Sequence, residues 1–262
     1  YECINGIEQI ELDRRIEVLN GLLKEGLGLS DVYSNLSSKK TSMHLDAFDH
    51  LVGIAVEGSL HSGKYVKSLS ELAKEMGVTI FYGAQVENWN RQCNNWKVQV
   101  AGGFEWEAEH LLFTTNGWLA EQMNDTGITP ARGQIILTSP IDGLPWKGTF
   151  HAEKGYYYWR NVGNRVLLGG ARHLYKNQEE TSDLSISQNI QESLEMFLKT
   201  NIIQGYQFEI EQRWSGIMAF SHTKTPILNQ QDEGLWYAMA CNGMGVALTP
   251  IWAELIAEKI VS

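Results

Sequence analysis

The spacing of apolar residues changes period along the 262-residue chain, and each change marks an element. Over residues 12–23, Ile16, Leu19, Leu22 and Leu23 recur at helical spacing, and Gly26-Leu27-Gly28 ends the run. Residues 62–76 place Tyr65, Leu69, Leu72, Ala73 and Met76 near one helix face, stopped by Gly77. Val78-Thr79-Ile80-Phe81-Tyr82 follows at once, β-branched and aromatic, and predicts a strand. Helix, glycine and strand together read as half of a βαβ unit. Then the period shortens to two. Residues 96–100 alternate, Gly102-Gly103 turns, and 104–108 returns as a hairpin. Residues 111–115 predict a buried strand ended at Asn116-Gly117, and further strands are expected at 133–139, 155–160 and 165–170. An amphipathic helix over 186–198 turns Ile186, Ile190, Leu194, Phe197 and Leu198 inward. Late strands at 208–216 and 235–240 lead to a closing helix over 246–261 with a strong apolar stripe.

Two αβ stretches, 62–118 and 235–262, are thus separated by an antiparallel-looking block at 132–217. The pattern predicts α/β combined with α+β in two interleaved domains rather than one parallel domain. One domain takes 1–60 and 132–217, the other 61–131 and 218–262.

Composition narrows the function classes. The formal net charge is −10 and no basic cluster exceeds Ser38-Lys39-Lys40, which argues against nucleic acid as partner because phosphate neutralisation needs clustered Lys and Arg. An acidic surface favours cationic substrates, although solubility explains it more simply. No stretch approaches the ~20 apolar residues of a spanning helix, so no membrane span is expected. Cys3, Cys93 and Cys241 are odd in number, far apart and without a CxxC pattern. Neither a disulfide framework nor a zinc site is expected, and a reducing cytoplasm is the default. The seven histidines show no HxxxH spacing, so no metal site is expected; isolated ones such as His173 and His222 read first as surface or core residues. The chain opens on Tyr1-Glu2-Cys3 without a secretory leader, the mark of a processed or fragmentary N-terminus. It carries no Walker loop and no GxGxxG.

Three segments could hold chemistry. Cys241-Asn242-Gly243-Met244-Gly245-Val246 lies between the last strand and the last helix. Entering a helix through glycines presents backbone N–H groups and the positive dipole end to an anion, while a plain structural turn explains the glycines equally well. Leu112-Phe113-Thr114-Thr115-Asn116-Gly117-Trp118 is a strand ending in a tight turn, open to a dinucleotide or simply a strand-to-helix connection. In Gly155-Tyr156-Tyr157-Tyr158-Trp159-Arg160, alternation puts Tyr156, Tyr158 and Arg160 on one face and Tyr157 and Trp159 on the other. Tyrosine rings there could wall an amine-binding cage or pack in a core.

In this order the segments resemble the D-amino-acid-oxidase-like family of FAD-dependent oxidoreductases, which includes glycine, sarcosine and γ-glutamylputrescine oxidases. The resemblance runs from Glu57-Gly58-Ser59-Leu60-His61 through Gly77-Val78-Thr79-Ile80 and Val86 to Thr114-Thr115-Asn116-Gly117-Trp118. It continues in Pro130-Ala131-Arg132-Gly133-Gln134, Arg165-Val166-Leu167-Leu168-Gly169-Gly170, Arg213-Trp214-Ser215-Gly216-Ile217, Lys224-Thr225-Pro226-Ile227 and Gly243-Met244-Gly245. It implies an incomplete FAD/NAD(P)-binding domain of the glutathione-reductase type, interleaved with an antiparallel-sheet substrate domain. The cofactor implied is FAD, contacted by Val86, Thr115, Asn116, Gly117, Trp118, Arg132, Gly243, Met244, Gly245 and Val246. Tyr156, Tyr158 and Lys224 are the implied catalytic and substrate-side residues, and the substrate is a small amine or amino acid. The family's GxGxxG segment should precede Tyr1 and is not in this sequence, so the chain by itself is expected to be inactive; a flavin-free binding or structural module is the alternative. A homo-oligomer is compatible with all of this. One departure bears on specificity. Where glycine oxidase has an arginine after Trp-Ala-Gly-Leu, this chain has Met218 after Trp214-Ser215-Gly216-Ile217, so a bidentate carboxylate anchor is missing. A longer amine or an N-substituted substrate follows from that loss.

Overall fold

The computed structural model describes residues 1–124, 126–239 and 241–261. In chain order the strands and helices are β1 (Glu2–Ile4), α1 (Gln9–Leu27), β2 (Tyr33–Asn35), β3 (His50–Ile54) and α2 (Ser62–Glu75). Then come β4 (Val86–Gln92), β5 (Asn95–Val100), β6 (Phe104–Ala108), β7 (Leu111–Phe113), α3 (Leu119–Gln122) and β8 (Ile128–Thr138). β9 (Thr149–Ala152), β10 (Tyr157–Val162), β11 (Arg165–Gly170), α4 (Lys176–Glu179) and α5 (Gln188–Phe197) follow. The chain finishes with β12 (Ile210–Ser221), β13 (Ile227–Asp232), β14 (Leu235–Met239) and α6 (Gly245–Val261).

The chain divides into two compact units, Tyr1–Ser59 with Arg132–Gly216, and Leu60–Ala131 with Ile217–Ser262. In the first, strands run in the order β12-β8-β11-β10-β9-β1-β3-β2. β1 pairs parallel with β9, and β8–β11, β11–β10, β10–β9, β1–β3 and β3–β2 are antiparallel. Helix α5 buries Ile190, Leu194 and Phe197 against this sheet. The core is aromatic: Tyr157 stacks on Phe197 at 3.8 Å, and Trp159 lies parallel to Phe150 at 5.4 Å. Each fully buried aliphatic side chain here contributes about 1.5–3 kcal/mol by leaving water. The second unit holds two three-stranded sheets, β13-β14-β7 and β4-β5-β6. β14 and β7 are parallel, whereas β13–β14, β4–β5 and β5–β6 are antiparallel.

The α/β plus α+β class is as expected, but several elements differ. Residues 78–82 form no ladder; Val78, Phe81 and Tyr82 are more than half exposed. Their β-branched composition favours a pleated surface, and a strand also needs a neighbour to pair with. Helix α1 is longer than its periodic core, and Leu19 and Leu22 face solvent. None of α2 is buried. Ile186 precedes α5 and is exposed, and the helix ends in a π turn at Leu198–Ile202. Strand β7 stops at Phe113, and of the strand expected at 235–240, Ala240 lies outside the described residues. Strand β3 carries no alternation: it is buried at four of five positions, so both of its faces are covered and no period of two is visible.

Candidate functional site

The glycine-rich entry to α6 belongs to the second unit. Asn242 and Gly243 both take positive φ, +52° and +86°. The turn is tied to β12: Asn242 N–H donates to the Ala219 carbonyl at 3.2 Å, and Ser221 N–H donates to Asn242 Oδ1 at 2.9 Å. Met244 N–H closes the turn on the Cys241 carbonyl at 2.8 Å, and the Met244 carbonyl accepts from Ala247 and Leu248. Gly245 and Val246 occupy the first turn of a 17-residue helix, where N–H groups have no acceptor one turn earlier. The segment is open, with Met244 57% and Val246 50% exposed. A Cβ on Gly243 would meet nothing within 4 Å.

Beside this entry lies a cavity of about 540 Å³, walled by Leu112, Thr114 and Asn116 and, from the other side, by Met239, Cys241 and the inner face of α6. Its lining is mainly apolar, and the Trp252 indole N–H in that wall is buried without an acceptor among the described residues. A planar conjugated ring with carbonyl acceptors and an anionic edge suits these features: apolar walls, one orphan donor, and a helix start for the negative charge. The residues present therefore fit a flavin ring.

The turn after β7 is more closed. Asn116 has φ +56° and donates from Nδ2 to the Ile217 carbonyl at 2.6 Å, and Thr115 Oγ1 donates to Gln122 at 2.9 Å. Gly117, implied as a cofactor contact, is buried. Its missing side chain makes room for protein: a Cβ would come within 2.7 Å of Ile217 Cγ2 and 3.0 Å of the Met218 carbonyl. Gly117→Ala is expected to destabilise the second unit by about 1–3 kcal/mol through overpacking, read as a lower denaturation midpoint. Trp118 is partly exposed, and Val86 is half-buried, paired with Val100 beside an irregular register in β4.

Arg132, also implied as a cofactor contact, is bonded within the first unit. Nε and Nη2 donate to the two oxygens of Glu179 at 2.9 and 2.8 Å, and Nη1 reaches the Asp183 carbonyl and Ser185 Oγ. Gln134 Nε2 donates to Glu179 at 2.8 Å, Gln191 donates to Gln134 at 3.0 Å, and Arg213 donates to Gln191 at 2.8 Å. The Glu179 hydrogen bonds hold the Arg132 pKa above its ordinary value against desolvation. This relay ties α4 and α5 to the sheet.

The tyrosine run is only partly as alternation predicts. Tyr157 and Trp159 enter the core, and Tyr158 and Arg160 lie on the more open face. Tyr156, however, precedes the strand in helical conformation (φ −71°, ψ −21°), so the pleat does not place it with Tyr158. It stacks on His173 at 4.3 Å. His173 Nε2 stands 3.5 Å from Glu153, and its Nδ1 is buried without a partner among the described residues. Backbone strain gathers here: Glu153, Lys154 and Ala171 all have positive φ. Tyr158 lies over Gly169, where a Cβ would approach its ring to 2.5 Å; burial raises its hydroxyl pKa and Arg172 opposes the shift. Lys224, in the second unit, is exposed in the turn between β12 and β13 with φ +58°. The His173–Glu153 pairing was not legible in sequence, since the left-handed turns that fold Glu153 back carry no motif.

Burial lowers the His173 pKa, with Glu153 opposing and Arg172 adding to the shift. A base depressed below its unfolded value near 6.5 binds more protons when unfolded. Its stabilising effect is therefore full above that pH and is lost as pH falls toward the folded pKa. Thermal melts between pH 7.5 and 5.5 are expected to fall less in His173→Gln than in the parent.

A family model for FAD-dependent oxidoreductases, designated DAO, matches residues 33–259. The chain belongs to this family. As a DAO-family chain it is 25% identical over 209 residues to the tRNA 5-methylaminomethyl-2-thiouridine biosynthesis bifunctional protein MnmC of Idiomarina loihiensis, covering 78% of this chain and 33% of that protein. It thus spans about a third of the length of that relative. Among solved structures, glycine oxidase of Geobacillus kaustophilus superposes with a TM-score of 0.77 at 19% identity, covering 99% of this chain and 69% of that one. Iminodiacetate oxidase of Chelativorans sp. gives 0.75 at 16% identity, covering 98% and 70%. At such identities the structures show the shared fold. Among the described residues, no helix is long and apolar enough to cross a membrane, and no His/Cys/Asp/Glu group could hold a metal ion.

Proposed function

We propose that this DAO-family chain serves an FAD-dependent oxidoreductase acting on the C–N bond of an amine or amino acid. In this reading the second unit is the flavin-binding part and the first the substrate part. The observation that carries it is the exposed glycine-rich start of α6 beside an apolar cavity with an orphan indole donor. A bound flavin would supply the hydride acceptor for the carbon next to the amine. The chain's own contribution is electrostatic: the N–H groups of Gly245 and Val246, at the positive end of α6, stabilise the charge a flavin ring gains on reduction. Tyr158, whose hydroxyl stays neutral because burial raises its pKa, is a hydrogen-bonding group for substrate. Tyr156 is fixed by its stack on His173 and adds a ring face that favours a cation. Met218 in place of an anchoring arginine favours an N-substituted or longer amine over a small α-amino acid. The net charge of −10 supports a cationic small molecule rather than nucleic acid, and a reducing cytoplasm suits three unpaired cysteines.

A flavin-free binding module is the second reading, favoured by one observation: the sequence contains no GxGxxG to seat a pyrophosphate. A fluorescence titration separates the two. The purified chain is expected to be nearly colourless, yet to quench added FAD saturably and with weak affinity. Emission that follows a buffer blank throughout the titration would favour the flavin-free module.

A further inference from the structure

The outer surface of α5 in the first unit carries a second cavity that the proposed flavin chemistry does not use. It measures about 380 Å³ and is lined by Tyr157, Tyr175, Asn189, Glu192, Met196 and Phe197, among others. Its floor is the pair Tyr157 and Phe197, nearly buried and stacked at 3.8 Å with planes only 2° apart. One wall is the π turn at Leu198–Ile202, a helical irregularity that recurs at functional positions. Among the lining residues Glu192 is the one ionisable acid, and there is no Lys, Arg or His. Gln188 donates to Glu192 Oε1 at 2.8 Å, which holds the carboxylate on its helix face. The neighbouring charges on α5 and its π turn are already matched, since Glu195 pairs with Arg213 and Lys199. Burial, with Glu153 and Tyr175 adding to it, pushes the Tyr157 hydroxyl to about 12, so it remains a neutral phenol.

We propose that this cavity is a binding site for a small organic ammonium ion, with Glu192 as counter-charge, the half-buried ring of Tyr175 as a cation-attracting wall, and Met196 over the stacked Tyr157–Phe197 pair as the apolar bed for the ligand's hydrocarbon arm. Anions meet no positive group in the lining, and a neutral arm alone meets a bed that is largely open to solvent. The ligand class follows from that combination of one carboxylate, a ring face and a short apolar floor. The site lies wholly within the first unit and needs no flavin.

The test is methyl NMR on the intact chain with ¹³C-labelled methionines, the Met196 signal being assigned from Met196→Leu. Benzylamine, protonated at neutral pH, is expected to shift the Met196 methyl saturably in the millimolar range, leaving Met244 in the second unit unmoved. Glu192→Gln should weaken this binding about threefold to tenfold, and Tyr175→Leu by a similar factor. Benzyl alcohol, of like shape without the charge, should bind more weakly than benzylamine in the parent and equally in parent and Glu192→Gln. A Met196 signal unmoved to roughly 20 mM benzylamine would overturn the proposal, that range being where even about 2 kcal/mol of binding would register. So would phenylacetate binding as well as benzylamine, or Glu192→Gln binding benzylamine like the parent. None of these outcomes depends on flavin uptake, so this site and the flavin reading can fail separately.

Discussion

Glu179→Ala is expected to destabilise the first unit by about 3–5 kcal/mol, the largest stability effect of any single substitution considered for this chain. Glu179 is fully buried and accepts from Arg132 twice and from Gln134 once. Removing it leaves the Arg132 guanidinium, itself nearly buried, with only the longer 3.4 Å contact to the exposed carboxylate of Asp183. The cost is that of an uncompensated ion, much more than the worth of a surface pair. Urea unfolding followed by tryptophan fluorescence should show the midpoint move down sharply. Glu179→Gln, which keeps an acceptor, should lose less. The decisive control is the double variant Arg132→Met with Glu179→Leu, which removes both charges and should recover most of the loss. A double variant as unstable as Glu179→Ala alone would mean that packing of α4, not the charge pair, sets the cost.

Gly245→Val carries the largest expected effect on ligand binding. At this position φ is not left-handed, and a Cβ would meet only Cys241 Cβ at 3.7 Å and Thr249 Oγ1 at 3.9 Å. The fold therefore accepts a side chain there, at the cost of a β-branched residue in a first helical turn. A ring edge placed against the Gly245 and Val246 amides would instead meet the two new methyl groups. Flavin affinity is expected to fall at least about tenfold, 1.4 kcal/mol, with thermal stability nearly unchanged. Gly243→Val is a poorer probe, because its φ of +86° makes any side chain costly whether or not a ligand is near.

Much of this architecture was legible in the order of periods along the sequence. The β5–β6 hairpin, the α5 stripe and the Gly-Met-Gly entry to α6 each rest on local rules: a turn, a face, a helix start. Where non-local pairing decides, local rules failed. Residues 78–82 have the composition of a strand and no ladder partner among the described residues, while β1 and β9 pair in parallel across almost 150 residues of chain. The site residues divide in the same way. Gly243 to Val246 lie where the pattern puts them, because a helix start is a local object. For Gly117 and Arg132 no local rule names the neighbours, Ile217 and Glu179, that the fold brings to them. Tyr156 slipped from its predicted face because the strand begins two residues later than expected, a shift set by three left-handed residues at 153–155 that no composition rule marks.

The account stands on α6 entering the cofactor site by its N-terminus. Amide hydrogen exchange, followed by mass spectrometry with and without excess FAD, tests this most directly. Exchange is expected to slow at residues 243–248, with the effect lost in Gly245→Val. Exchange there that is indifferent to FAD, or protection confined to other segments, would contradict it.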